Sequence, residues 1–230
     1  YALCTVYYGD IDPDFDDQFD NGVHALFPEW KRDALHPERW GSIAAWAWGL
    51  SRIADFLETE PSLGNVPLIV VGHSRLGKTS LWAGANDPRF QIVISNNSGC
   101  GGAALEHRRF GETIASITRT FPHWFCDNYR RFASSSSSMP IDAHMLIAAS
   151  APRPVYVTSA SNDLWADPRG EFLGAYHASE AYKLLGLKTF ASDQMPEPDQ
   201  TIGVQLGYHL RTGEHDLLES DWQHFIAFAN

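Results

Sequence analysis

The stretch VVGHSRLGKTSLWAGA, residues 70–85, sets a serine between small apolar residues and a helical pattern. Just upstream, VPLIVVG (66–72) is a continuous apolar run, too short for a helix and rich in Val and Ile. That is how a strand buried on both faces of a parallel sheet reads. Downstream, residues 77–86 have helical character. A Gly-x-Ser at such a junction raises one question: whether Ser74 is an activated nucleophile or only a polar turn residue. The rest of the chain has to supply a base, an acid and an oxyanion site.

Working outward, residues 40–60 (WGSIAAWAWGLSRIADFLETE) carry apolar residues at helical spacing, and SLGN (62–65) is a turn before the apolar run. Further strands are predicted over FQIVISNNSG (90–99), RPVYVTSASND (153–163) and VQLGYHL (204–210). Helices are predicted over DAHMLIAAS (142–150) and LLESDWQHFIAFAN (217–230). Residues 1–8 alternate in a way that suits a strand ending at Gly9 and Asp10. Strands and helices alternating at this spacing imply an α/β fold, a mostly parallel sheet with helices on both faces.

At 230 residues and with no linker, residues 1–230 read as one domain. The chain opens on a strand-like run with no Met or polar lead-in, so it is expected to begin inside a fold, with N-terminal strands missing. The serine run 134–138 is the one low-complexity segment and is read as a mobile loop between the second and third strands of the 66–210 series.

Hydrophobic content of 44% and aromatic content of 13% are those of a folded globular chain. A net charge of -11 argues against a nucleic-acid partner, because neutralising phosphates needs concentrated Lys and Arg. No apolar run reaches the roughly 18 to 20 residues of a membrane span. Cys4, Cys100 and Cys126 fit neither a disulfide framework nor a zinc ligand set. Six aspartates, at 10, 12, 14, 16, 17 and 20, resemble a calcium loop in composition only. The ordered register with a closing Glu is absent, so a solvated surface loop is expected and no metal is assigned.

A serine hydroxyl becomes a nucleophile when a histidine takes its proton and a carboxylate fixes that histidine's tautomer. In a sheet of this type the order along the chain is serine, acid, histidine, each at a strand's C-terminal end. Asp163 follows the 153–163 strand and His215 follows the 204–210 strand, which suits both roles. Asp167, Asp216 and Asp221 are rival acids. Asp167 precedes Pro168 and reads as a turn or helix start, and the other two read as first-turn residues of the last helix.

Among ten histidines, His73 is expected to point away from the elbow and pack, and His209 to be a satisfied core residue. His107, His123, His144, His177 and His224 show no matching partner in sequence. Gly72 relieves the strand side of the elbow. The next glycine is Gly77, which makes the motif Gly-x-Ser-x-x-Gly, one residue longer than the common form.

GHSRLGKTSLWAGA (72–85), SNNSGCGGAAL (95–105), RRFGETI (108–114), MLIAASAPRPV (145–155), NDLWADPRGEF (162–172) and GEH (213–215) before DW (221–222) together resemble bacterial glucuronoyl esterases, carbohydrate esterase family fifteen. The resemblance covers nearly the whole chain. It implies an α/β-hydrolase that cleaves the ester between 4-O-methyl-glucuronic acid of glucuronoxylan and lignin alcohols, with no cofactor. It further implies a secreted or periplasmic monomer.

By motif, Ser74 resembles the nucleophile, His215 the base and Arg75 the arginine that stabilises the oxyanion. A cation in a helix's first turn opposes the helix dipole, so an arginine there without a function would be mildly destabilising. Lys78, Glu112 and Trp165 resemble residues that hold the uronate sugar, against a bland reading of Lys78 and Glu112 as surface charges and of Trp165 as core. The chain departs from many members, the fungal ones especially, at Asn97, where they carry a catalytic glutamate. The acid role then rests on Asp163. Two other readings stay open: another carbohydrate esterase, such as an acetyl-xylan esterase, and a saccharide-binding protein with an incomplete site.

Overall fold

The computed structural model describes residues 1–29, 36–190 and 192–230. Trp30, at the end of the acidic and aromatic N-terminal stretch, lies outside the described residues. In chain order the principal elements are α1 (Ser42–Thr59), β1 (Leu68–His73), α2 (Arg75–Asn86), β2 (Phe90–Asn96), α3 (Ile114–Thr120), α4 (Asp127–Arg130), α5 (Ala143–Ala148) and β3 (Val155–Ala160). They continue with α6 (Pro168–Leu184), β4 (Gln200–Gly203), β5 (Leu206–Arg211) and α7 (Glu219–Ala229).

The sheet runs β1-β2-β3-β5-β4. β1, β2, β3 and β5 are parallel, and β4 is an antiparallel edge on β5. The register aligns His73 with Asn96, Asn96 with Thr158, and Ala160 with Arg211. Every parallel strand therefore releases its following loop at one end of the sheet, where open α/β sheets place their sites.

Because side chains alternate across a strand, Val155 and Val157 enter one core while Tyr156 enters another. The first core joins Ala47 and Ala54 of α1, Leu81 of α2, Ile147 of α5 and Phe172 and Tyr182 of α6. On the opposite face Phe225 of α7 packs on Ile94 and Tyr156, with Trp222 and Phe228 beside it. Helices cover both faces, but unevenly. A third cluster, built from Ile43, Trp46, Ile114, Ile117 and Trp124, packs the 97–142 segment over α1.

The strands over 66–72, 90–99, 153–163 and 204–210, the helices over 40–60, 77–86, 142–150 and 217–230, and the α/β class all appear. Residues 1–6 form no strand; only a 3-10 turn at Tyr8–Asp10 follows, and Tyr1, Leu3 and Tyr7 are exposed. Alternation gives a segment β propensity, but a strand needs a neighbour to take its backbone hydrogen bonds. β4 and α6 were not legible. β4 is four residues long and largely exposed, and the buried face of α6 includes Gly170, Glu171, Gly174 and Ser179, which blur its apolar period.

The acidic loop is also not simply solvated. Asp12 is buried, accepting from His24 Nδ1 at 2.8 Å and Ser42 Oγ at 2.5 Å. Likewise the serine run lies between β2 and β3 as expected, yet Ser136 is buried and Ser136–Ser138 form a 3-10 turn.

Candidate active site

Ser74 joins β1 to α2 with φ 59° and ψ -125°, a strained backbone that lifts its side chain off the sheet end. Its N–H donates to the Asn96 carbonyl at 2.8 Å, which ties the elbow to β2. Two glycines make the turn possible. A Cβ on Gly72 would collide with the Leu76 carbonyl, and one on Gly77 would sit 2.9 Å from Ser98 Cβ and 3.1 Å from Asn96 O. The displaced second glycine thus serves the close approach of α2 to the loop after β2. α2 begins directly at Arg75; the Gly77 and Lys78 N–H groups donate to the Ser74 carbonyl, and those of Arg75 and Leu76 precede the first intrahelical bond beside Ser74.

Asp163 and His215, far apart in sequence, meet at the ends of β3 and β5: His215 Nδ1 lies 2.6 Å from Asp163 Oδ2. Asp163 is buried, and burial pushes its carboxyl up. The hydrogen bonds and charge of His215, with the donor groups of Asn97 and Ala166, outweigh that and hold it below the usual aspartate range. An ionised acceptor at Nδ1 places that nitrogen's proton toward Asp163 and leaves the Nε2 lone pair free to take a proton. Ser74 Oγ forms no hydrogen bond to His215 in the structure, so of the expected triad the His215–Asp163 contact is made and the Ser74–His215 contact is open. Such bonds often tighten only with substrate bound.

None of the rival acids reaches His215. Asp167 takes the N-cap position of α6 and pairs with Arg108 Nε at 2.8 Å. Asp216 accepts from the next backbone N–H, at Leu217, before α7 rather than within its first turn. Asp221 does lie in that first turn and bonds His209 Nε2 at 3.0 Å. His209 is accordingly the satisfied core residue expected.

His73 departs from expectation. Its ring lies 4.6 Å from that of His215, and its Nδ1 is 3.0 Å from Asn96 Oδ1. Burial, aided by the neighbouring His215, lowers its pKa, so it offers His215 a neutral packing face rather than a second cation. Asn97, where the resemblance led to the expectation of a departure, has φ 46° and donates from Nδ2 to Asp163 Oδ2 at 3.0 Å. The amide thus supports the Asp163 carboxylate.

Arg75 is not a solvated helix-start cation. Its guanidinium donates to Asp14 and lies 5.0 Å over the Trp124 ring. Asp14 also accepts from Trp124 Nε1 at 2.7 Å and His123 Nε2 at 3.1 Å, giving His123 a partner that sequence did not reveal. Burial raises the Asp14 carboxyl, but those two hydrogen bonds and Arg75 more than offset it and hold it below the usual range.

Lys78 and Glu112 are not surface charges. Lys78 is buried, donates to the Ser98 carbonyl, and lies 4.0 Å from Glu112 Oε2. Burial raises the Glu112 pKa, countered by the Lys78 charge, the Trp165 side chain and His215. Trp165 is 60% exposed rather than core, and its carbonyl accepts from the Glu112 N–H at 2.8 Å. Lys78, Glu112 and Trp165 thus form one connected group beside the Asp163 loop. Among the described residues no group of three or more His, Cys, Asp and Glu side chains is placed to hold a metal ion, and no helix is long and apolar enough to cross a membrane.

Sequence reading missed the supporting residues Asp14, Arg211 and Glu171. Each acts through contacts formed only on folding, and no local motif marks them. Glu171 is fully buried, its carboxylate accepting from Ser98 N at 2.7 Å, Gly99 N at 3.0 Å and Ser159 Oγ at 2.7 Å.

A family model described as glucuronyl esterase of fungi matches residues 34–186. A carbohydrate esterase from an unknown prokaryotic organism is 50% identical over 232 residues, spanning 100% of this chain and 53% of its own. The 4-O-methyl-glucuronoyl methylesterase 1 of Wolfiporia cocos is 29% identical over 230 residues, 96% of this chain and 53% of its own. The solved glucuronoyl esterase from Solibacter usitatus superposes with a TM-score of 0.90 at 43% identity, over 97% of this chain and 57% of that one. The chain spans about half the length of the curated relatives it matches. With more than half of its residues inside the family model and a half-identical relative matched along all of it, the chain belongs to the glucuronoyl esterase family of α/β-hydrolases.

Proposed function

We propose that the protein of which this chain is part is a serine esterase acting on esters of 4-O-methyl-glucuronic acid. The observation that carries the reading is the 2.6 Å contact between His215 Nδ1 and Asp163 Oδ2 beside a strained Ser74. Ser74 Oγ attacks the ester carbonyl while His215 Nε2 takes its proton. The C–O bond to the alcohol then breaks, and the alcohol leaves with that proton. Water, deprotonated by His215, attacks the acyl-enzyme and releases the uronic acid and free Ser74.

The backbone N–H groups at the start of α2 and the Arg75 cation are the candidates to stabilise the tetrahedral oxyanion. One such preorganised donor is worth on the order of 3 to 4 kcal/mol. Lys78 and Glu112 supply hydrogen bonds to sugar hydroxyls, and the exposed Trp165 offers a flat apolar face with one N–H donor to a pyranose. The substrate in this reading is a glucuronoxylan or lignin–carbohydrate ester, whose uronate charge is masked until cleavage. The product anion then meets a chain of net charge -11, which assists its release.

A polymeric substrate of this kind places the enzyme in a secreted or periplasmic compartment, and we take it to work as a monomer. Sedimentation at a dimer mass would overturn the latter. The direct test is hydrolysis of benzyl glucuronate by the parent, Ser74→Ala and Asp163→Asn. Activity abolished in the first and lowered about 10⁴-fold in the second is expected from the wrong histidine tautomer. Full activity in either variant would sink the triad, and activity on acetylated xylan alone would move the substrate.

A further inference from the structure

β5 ends at Arg211, a buried side chain with every guanidinium nitrogen near an oxygen of the segment that follows. One terminal nitrogen donates both to the Glu214 carbonyl at 2.7 Å and to the Asp216 carbonyl at 3.1 Å. These are the two carbonyls flanking His215. The other terminal nitrogen donates to the Thr212 carbonyl at 3.2 Å. Behind the guanidinium, Nε lies 3.2 Å from Asp221 Oδ2, and Asp221 is itself fixed by His209 Nε2 and the Leu218 N–H.

The same loop is strapped to the acid's loop. Ser161 N donates to the Arg211 carbonyl at 2.8 Å, Asn162 N to the Gly213 carbonyl at 2.9 Å, and Asn162 Nδ2 to Glu214 Oε1 at 3.2 Å. The His215 side chain, by contrast, is 42% exposed and among the described residues bonded only to Asp163, with the His73 ring against it. Packing of the imidazole alone leaves it under-determined, so its placement depends on the backbone that carries it.

We propose that Arg211, backed by Asp221, is a positioning residue for the histidine: its guanidinium grips the carbonyls on both sides of His215 and sets the imidazole against Asp163. The reading rests on His215 being the general base. Arginine suits the task because its planar fork holds several oxygens at fixed angles, whereas a lysine ammonium is a point charge on a flexible stem. Asp221 keeps the buried cation paired.

The test uses two readouts on the parent, Arg211→Met and Arg211→Lys. One is the downfield imidazole N–H signal of His215 bonded to Asp163 in proton NMR, assigned by its loss in His215→Gln. The other is steady-state hydrolysis of benzyl glucuronate. The signal is expected to broaden away in folded Arg211→Met, with kcat down about tenfold to a hundredfold and KM little changed, and partial recovery in Arg211→Lys. A merely structural arginine would lower the unfolding midpoint while leaving both readouts of the folded protein intact.

Folded Arg211→Met with the signal retained and kcat within about twofold of the parent overturns the proposal. If Arg211→Met does not fold, the same criteria applied to Arg211→Lys decide. A parent without esterase activity that still shows the His215 signal counts against the proposed function, and the NMR comparison alone then decides on Arg211.

Discussion

Asp14 gathers donors from α2, through Arg75, and from the loop after α3, through His123 and Trp124, and its carboxylate holds the Arg75 guanidinium over the Trp124 ring. Removing its charge while keeping its shape isolates that effect. In Asp14→Asn, kcat for benzyl glucuronate is expected to fall about tenfold with little change in KM, because an oxyanion donor acts on the transition state and not on the bound ester. Unchanged kcat would detach Arg75 from the oxyanion. The pH behaviour has a definite sign. A carboxyl held below its ordinary range contributes stability above that range and loses it as pH falls through the folded pKa, so Asp14→Asn should flatten the acid limb of a stability–pH curve.

At the level of elements, the decisive contact is between α6 and the turn after β2. That turn holds both Asn97 and Gly99 at positive φ, and α6 delivers Glu171 beneath it to bind the Ser98 and Gly99 N–H groups. Burial pushes Glu171 from an ordinary 4.5 up to about 7, with the Ser159, Gly99 and Ser98 donors restraining the rise and Asp163 adding to it. A raised carboxyl works in the opposite sense to Asp14. The folded state binds the extra proton between about pH 4.5 and 7, so ionising Glu171 costs stability as pH rises through that window, on the order of 3 kcal/mol in total. The stability difference between the parent and Glu171→Gln should therefore shift by that amount, against the parent, between pH 5 and 8, as read by chemical denaturation at about those pH values. A pH-independent difference would show that the carboxyl is not raised.

Across the whole molecule, the two sheet faces are unequally covered. One carries helices α1, α2, α5 and α6, while the other relies on α7, whose Phe225 is 2% exposed against Ile94 and Tyr156. Phe225→Ala is expected to cost about 3 to 5 kcal/mol in denaturant unfolding, the range for emptying a packed aromatic site. A loss below about 1 kcal/mol would mean that this face tolerates collapse around the cavity. The same helix carries Asp221, so α7 links the thinner face to the histidine loop.

The parallel α/β architecture, the elbow at Ser74 and the positions of Asp163 and His215 after their strands are legible in the sequence, because these are written in local patterns. An apolar run, a glycine-flanked serine and the order of loops after strands survive without knowledge of long-range contacts. It took contacts through space to show that residues 1–6 find no strand partner, that Asp12 and Asp14 leave the solvent, that His73 lies against His215, and that buried Lys78 pairs with a largely covered Glu112. They likewise make Asn97 a donor to the Asp163 carboxylate. The physical reason is common to all of them. Whether a charged or polar side chain is solvated or buried depends on partners that approach it through space, 61 residues away for Asp14 and Arg75 and 66 for Asn97 and Asp163, and no local period encodes such a meeting.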